Sequence, residues 1–317
     1  MNTRPVIETS SNPVALSASF NQDASCFAVG LDSGFCIFKS EPCSLRVSRD
    51  FNAGIGAVQM LGQANYIALI GGGKQPKFPQ NKVIIWDDSK QKVSIQIPVL
   101  TTVRGVRLSR SHIVVALQNS IRVYKFQIQP ELWAAFETAD NPLGLCCLTL
   151  KTLVFPGRTP GQVQLVELSS GNVSIIPAHS SSLRALDISR EGDILATASE
   201  TEERAPPGLG DVDTSQKWGI LGRIPLLPRV FSDVYSFASA HFEIGDEPVY
   251  GASTPLNSPE YSGFRPPKGI LGWTDDHTIM VIGAGRDGRW EKFIIAEGED
   301  GKRYCVRDGW KRYLGSS

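Results

Sequence analysis

One pattern recurs along this chain at a spacing near forty residues: an apolar or β-branched run, a short polar turn, a second run, another turn and a third run. Its registers begin near Leu16, Ala57, Arg104, Gly144, Leu183 and Gly269, at intervals of 41, 47, 40, 39 and 86 residues. A period of about 40–45 residues with several strands per unit is the mark of a β-propeller. One such unit is a small sheet that cannot bury both of its faces. It becomes stable only when neighbours pack against it around a central axis. The last interval is about two units long, so the repeat that dictates the architecture is broken inside it. The expected fold is therefore all-β, an incomplete WD40-type propeller forming a single domain over residues 1–317.

The hairpin signals are local and clear. In the first unit, Leu16–Phe20 and Cys26–Gly30 flank the turn Asn21-Gln22-Asp23, and Phe35–Phe38 follows Asp32-Ser33-Gly34. Short strands separated by Asn, Asp, Ser and Gly read as antiparallel hairpins, because these residues stabilise turns through their own side chains or tolerate positive φ. The second unit ends in Trp86-Asp87, the dipeptide typical of WD-type blades. The fifth unit opens normally with Leu183–Ile188 and Ile194–Ser199. A third strand should follow within about five residues. Instead the chain runs Thr201-Glu202-Glu203-Arg204-Ala205-Pro206-Pro207-Gly208, which has no alternation and two prolines. No strand candidate is expected before Val230; the next are Val234–Phe237 and Val249–Ala252. Residues 200–233 read as a truncated-blade junction, 254–268 as a flexible loop and 297–317 as a tail.

Composition adds mainly exclusions. Lys plus Arg and Asp plus Glu number 32 each, so bulk charge gives no reason to expect nucleic acid. No run of about 18 apolar residues is present to span a membrane, and the stretch Met1 to Pro13 carries no signal-peptide core. The six cysteines form no CxxC pair and the four histidines are isolated, so neither a metal site nor a cofactor is expected. Reduced core thiols fit a cytosolic protein. Cys146 and Cys147, adjacent on a strand, should face opposite sides of their sheet. No paired carboxylate or GxSxG context marks an enzyme; Asp87, Asp88, Asp275 and Asp276 read as turn residues.

Specific segments go further. Asn21-Gln22-Asp23, Gly71-Gly72-Gly73-Lys74-Gln75-Pro76-Lys77-Phe78-Pro79, Asn81–Asp87, Asn141-Pro142-Leu143-Gly144, Phe155-Pro156-Gly157, Ala178-His179 and Leu195–Glu200 occur in order. Together they resemble the PROPPINs, autophagy-related phosphoinositide-binding propellers of seven blades. The likeness runs from Leu16 to Glu200 and resumes more loosely from Lys217 to Ala296, with fungal members closest. After the Ala-Thr-Ala-Ser-Glu strand the family continues with a Lys-Gly-Thr turn, a strand, a paired-arginine motif and most of blade six. None of these follows Glu200 here; Arg204 and Arg223 sit in other contexts. By that layout roughly sixty residues, about one and a half blades, are missing.

The resemblance implies a non-enzymatic effector of phosphatidylinositol 3-phosphate and 3,5-bisphosphate. It implies a scaffold that is cytoplasmic and peripheral on vacuole, endosome or pre-autophagosomal membranes, and a monomer is expected. His179 and Ser199 fall on positions lining the first headgroup pocket, and Thr197, two residues before Ser199, shares its face. A structural hydrogen bond at a blade edge is the competing role for these side chains. Hydrogen bonds to charged groups contribute about 1.5–3 kcal/mol each, so loss of both arginines predicts weakened lipid binding. The acid-free stretch Thr214–Ser232 resembles part of the family's membrane-inserting loop: Lys217, Trp218, Ile220, Leu221, Arg223, Ile224, Leu226 and Leu227 combine apolar and basic character. Its competing reading is a cover for a core gap or an outer strand. Asn21 and Asp23 match positions that dock an autophagy lipid-transfer partner, although both residue types also cap turns. Gly71–Pro79 reads as an inter-strand loop or a docking surface. The alternative function is a cytosolic protein-interaction propeller that has lost lipid binding, and a propeller hydrolase is the third class.

Overall fold

The structure is a computed structural model and describes residues 13–192, 194–199, 218–221, 232–234, 240, 269–285 and 288–314. Its strands form six four-stranded sheets, each a simple antiparallel meander. The first contains β1 (Ala15–Phe20), β2 (Cys26–Leu31), β3 (Gly34–Lys39) and β4 (Ser44–Asp50). The second contains β5 (Ile55–Met60), β6 (Tyr66–Gly71), β7 (Lys82–Asp87) and β8 (Lys92–Pro98). The third has β9 (Gly105–Leu108), β10 (His112–Ala116), β11 (Ser120–Lys125) and β12 (Leu132–Glu137). The fourth has β13 (Cys147–Leu148), β14 (Thr152–Pro156), β15 (Gln162–Glu167) and β16 (Val173–Pro177). The fifth has β17 (Leu183–Ile188), β18 (Leu195–Ser199), β19 (Trp218–Leu221) and β20 (Ser232–Val234). The sixth has β21 (Ile270–Asp275), β22 (Thr278–Ile282), β23 (Arg289–Glu297) and β24 (Arg303–Arg312).

Middle strands such as β2, β6 and β10 are apolar on both faces because each face meets a neighbouring sheet. The result is a series of cores between sheets rather than one central core. Five apolar clusters lie at five junctions: sixth with first, first with second, second with third, third with fourth, and fourth with fifth. Among the described residues, no such cluster joins the fifth sheet to the sixth. This is the incomplete propeller expected from the repeat, and the seam, the junction without a described core cluster, lies where the repeat breaks. Cys146 and Cys147 do face opposite ways, one in the third–fourth cluster and the other in the fourth–fifth cluster. All six cysteines are free, and burial pushes the Cys147 thiol pKa up.

Polar side chains fix the spacing between sheets. Gln22 donates from Nε2 to the Leu108 carbonyl at 3.0 Å and accepts from the Gly62 N–H at 2.6 Å, so one turn of the first sheet clasps the second and third. Arg49 meets Asp88 through two parallel bonds of 2.8 and 2.9 Å across the first–second junction. The inner strands converge so closely that Gly144, at φ +62°, admits no side chain against the Arg104 carbonyl. At the sixth–first junction Phe27 stacks on Phe38 at 5.1 Å, and Tyr313 meets both rings edge-on. Trp290 there donates to the Ser40 carbonyl at 2.9 Å.

The structure differs from the sequence reading in three places. A third strand of the fifth unit does precede Val230: β19 pairs with β18, with Ala196 opposite Ile220 and Thr197 opposite Gly219. It was obscured because a long connection, rather than a tight turn, separates it from Ser199. The candidate Val234–Phe237 is represented by the shorter β20, whereas Val249–Ala252 and the loop 254–268 lie outside the described residues. The segment read as a tail contains β24, the outer strand of the last sheet. Its charged alternation keeps that edge soluble and hides it from an apolar-run search.

Two outcomes test this architecture. Phe27→Ala removes a fully buried ring from the sixth–first junction, and urea unfolding is expected to show a loss of about 3–5 kcal/mol. Hydrogen exchange is expected to be faster in β18, which borders the seam, than in β6, which is cored on both faces. Equal protection in the two strands would mean that the seam is closed.

Candidate functional site

The sequence-marked residues around Ala178-His179 converge at the fourth–fifth junction. His179 follows β16, and its backbone N–H is held by the Gly161 carbonyl at 3.0 Å. Gly161 lies at φ +81°, and a Cβ there would strike the His179 carbonyl, so only glycine allows the two segments to meet. Thus anchored, the His179 ring brings Nε2 to 2.9 Å from Thr197 Oγ1. Thr197 is only 4% exposed and sits on the face of β18 that carries Leu195, which is buried in the fourth–fifth cluster. Ser199 is the next residue on that face and pairs in register with Leu183. The structure therefore brings His179 and Thr197 into direct contact and places Ser199 on the same strand face.

Beside this pair, Asp140, Thr159, Gly161, Ser182 and Arg184 line a cleft of about 190 Å³. Arg184 is an exposed cation only five positions after His179, and Gly161 belongs to both the cleft and the His179 anchor. Asp140 is hydrogen-bonded to Gln118. An imidazole, hydroxyls and a guanidinium at one junction form a donor set suited to phosphate oxygens. Ser182 and Arg184 were not among the sequence candidates. Their signal was proximity to Ala178-His179, visible only once the turn into β17 is placed.

The other candidates separate. Asn21 is 5% exposed; its Oδ1 accepts from the Cys26 N–H at 3.1 Å and its Nδ2 donates to Ser25 Oγ at 3.0 Å. Its amide is thus engaged inside the turn. Asp23 is exposed and accepts from the Ser25 backbone and hydroxyl at 3.1 and 2.6 Å. Hydrogen bonds from Ser25 hold its carboxyl below the ordinary range, although partial burial pulls the other way. Asp87 and Asp275 likewise accept from residues two positions on, Ser89 and His277. Trp218, Ile220 and Leu221 belong to β19, so a hydrogen-bonded strand interrupts the stretch read as one loop. Lys217, Arg223, Ile224, Leu226 and Leu227 lie outside the described residues, as do Arg204 and Glu200.

Comparison with known proteins places this geometry in context. The chain is 51% identical to SVP1-like protein 2 of Emericella nidulans, over 81% of this chain and 99% of the relative. It is 38% identical to SVP1-like protein 2 of Neurospora crassa, covering 100% of both chains. That second alignment runs over 428 positions against 317 residues, so the relative carries residues with no counterpart in this chain. Among solved structures, Hsv2 of Kluyveromyces lactis superposes with a TM-score of 0.71 at 17% identity, covering 95% of this chain and 99% of that one. A complex of KlAtg21 with the coiled coil of AgAtg16 contains a similar chain, at a TM-score of 0.60 and 17% identity, covering 94% and 99%. No protein-family model matches the chain.

Gly161→Ala is expected to destabilise the protein by about 1–3 kcal/mol, because it forces a side chain into a left-handed backbone position against His179. A thermal melt matching that of the unaltered chain would remove Gly161 as the anchor of the site.

Proposed function

Because the chain belongs to the PROPPIN family, we propose that it acts as a non-enzymatic phosphoinositide effector and scaffold in autophagy, with weakened lipid affinity. In this reading the phosphates of phosphatidylinositol 3-phosphate or 3,5-bisphosphate are held by His179, Thr197 and Ser199. The observation that carries it is the His179 to Thr197 contact of 2.9 Å beside a cleft lined by Arg184. A histidine ring and two hydroxyls give directional donors, but they lack the forked, permanent charge of paired arginines. Each charge-assisted bond removed costs about 1.5–3 kcal/mol, which is why the affinity is read as low.

Stable membrane attachment usually requires two signals. The second is assigned to the residues around β19: Lys217, Arg223, Ile224, Leu226 and Leu227 in its flanks, and Trp218, Ile220 and Leu221 within it. Recruitment then places the protein in the cytoplasm and peripherally on vacuole, endosome or pre-autophagosomal membranes. Asp23, exposed on its turn, is the candidate contact for a lipid-transfer partner. The second reading is a cytosolic protein-interaction propeller without lipid binding. It is favoured by the coiled coil bound to the similar KlAtg21 chain and by the absence of a paired-arginine motif after Glu200.

Liposome flotation discriminates the two. Flotation that rises with phosphatidylinositol 3-phosphate content, and falls with His179→Ala or Thr197→Val, is expected. No flotation at any phosphoinositide content, with partner capture retained, would replace the first reading by the second.

A further inference from the structure

The cleft beside His179 has a make-up that contact with phosphate alone does not explain. Pro142, Pro156 and Pro160 give it apolar walls, and Asp140, Ser182 and Arg184 give it polar groups. Its volume of about 190 Å³ lies below the roughly 300–1,000 Å³ of pockets that take drug-sized ligands. The space therefore suits one small ring. A carboxylate is out of place in a site built only for phosphate, because like charges repel.

Asp140 is held there by its neighbours. The Ala139 N–H donates to the Gly157 carbonyl at 2.7 Å, and the Asn141 N–H donates to the Gln118 carbonyl at 2.7 Å. Asn141 is only 2% exposed, so the segment is pinned on both sides of an exposed carboxylate. Gln118 Nε2 donates to Asp140 Oδ1. Among the described residues no cation pairs with Asp140, and its Oδ2 accepts no hydrogen bond. Gly161 ties the cleft to the candidate site, because its carbonyl accepts from the Ala178 and His179 N–H groups at 3.1 and 3.0 Å. A neutral amide is thus the one described partner of a carboxylate that shares its cleft with the residues flanking His179.

We propose that this cleft holds the inositol ring of a singly phosphorylated headgroup, and that Asp140 selects it over a bisphosphate. The inference rests on the lipid reading above. The hydroxyls of inositol stand mainly around the edge of the ring, and its C–H bonds form two apolar faces. Proline side chains suit the faces; Asp140 and Ser182 suit the edge. An ionised carboxylate only accepts hydrogen bonds, so Asp140 takes them from ring hydroxyls that carry no phosphate. A further phosphate replaces such a donor by a group of about −1.5 to −2 charge, and the same carboxylate oxygens then meet like charge. Discrimination is a difference of two affinities, and here repulsion supplies it. Asp140 is a specificity-determining residue, while His179 and Thr197 hold the phosphate common to both lipids.

The test is flotation of the full chain on vesicles carrying equal amounts of phosphatidylinositol 3-phosphate or 3,5-bisphosphate. The unaltered chain is expected to favour the monophosphate. Asp140→Asn, which keeps an oxygen for Gln118, is expected to narrow that preference about fivefold, chiefly by raising binding of the bisphosphate. Asp140→Ala should act in the same direction. A purely structural role would change the thermal melt and weaken both lipids alike. Soluble inositol 1,3-bisphosphate should displace the chain from vesicles at concentrations where inorganic phosphate does not. Equal flotation of the unaltered chain on both lipids, a preference untouched by either substitution, or displacement by inorganic phosphate alone would overturn this inference and leave the lipid reading standing. No headgroup-dependent flotation of the unaltered chain would overturn both.

Discussion

Burial of apolar surface between neighbouring sheets is the interaction on which the rest of the molecule depends. No sheet here could persist alone, because strands such as β2, β6 and β10 are apolar on both faces. Each fully buried side chain contributes about 1.5–3 kcal/mol, and every cored junction pools many of them. Cooperativity therefore passes from sheet to sheet, as in other repeat architectures. Loss of repeat units does not erase that cohesion. Among the described residues it ends at one place, between the fifth and sixth sheets.

The candidate site lies on the surviving side of that boundary. His179, Thr197 and Ser199 belong to the junction between the fourth and fifth sheets, whose core includes Val154, Val163, Leu186 and Leu195. Thr197 is buried where Leu195 on its own face and Leu186 opposite it are packed against the fourth sheet. Residues held by the preceding sheets keep their geometry, and the His179 to Thr197 contact is one of them.

How much of this was legible in the sequence depended on which faces each strand buries. Strands β1 to β3, β5 to β7 and β9 to β11 announce themselves because apolar runs and Asx-rich turns alternate at short range. The outer strands are harder to see: β4 and β8 are mostly exposed, so their patterns resemble solvated loops. Strand β19 was missed because its partner β18 is remote in sequence, and four residues containing Gly219 carry no periodicity of their own. Asn21 shows the opposite limit. Both sides of its amide close a buried turn, and that burial cannot be read from residue type. Resemblance pointed to His179 and Ser199, and strand alternation added Thr197 to the face of Ser199. The adjoining Arg184 was not foreseeable, because its relevance depends on Gly161 bringing the fourth sheet against the start of β17.

Strand β24 shows how one segment can satisfy opposing demands. It is an outer edge, and an unpaired edge with exposed Tyr304, Val306 and Trp310 invites association with other strands. Arg303, Arg307, Asp308, Lys311 and Arg312 oppose that by keeping the edge charged, and a bulge at Asp308 breaks its regular register. The same bulge lets Asp308 reach Lys292 while Arg307 stays over Glu291, so charges of the two faces are sorted to opposite sides of one strand. A buried carboxylate left alone would be costly, and Glu291 is tolerated because arginines on β23 and β24 surround it.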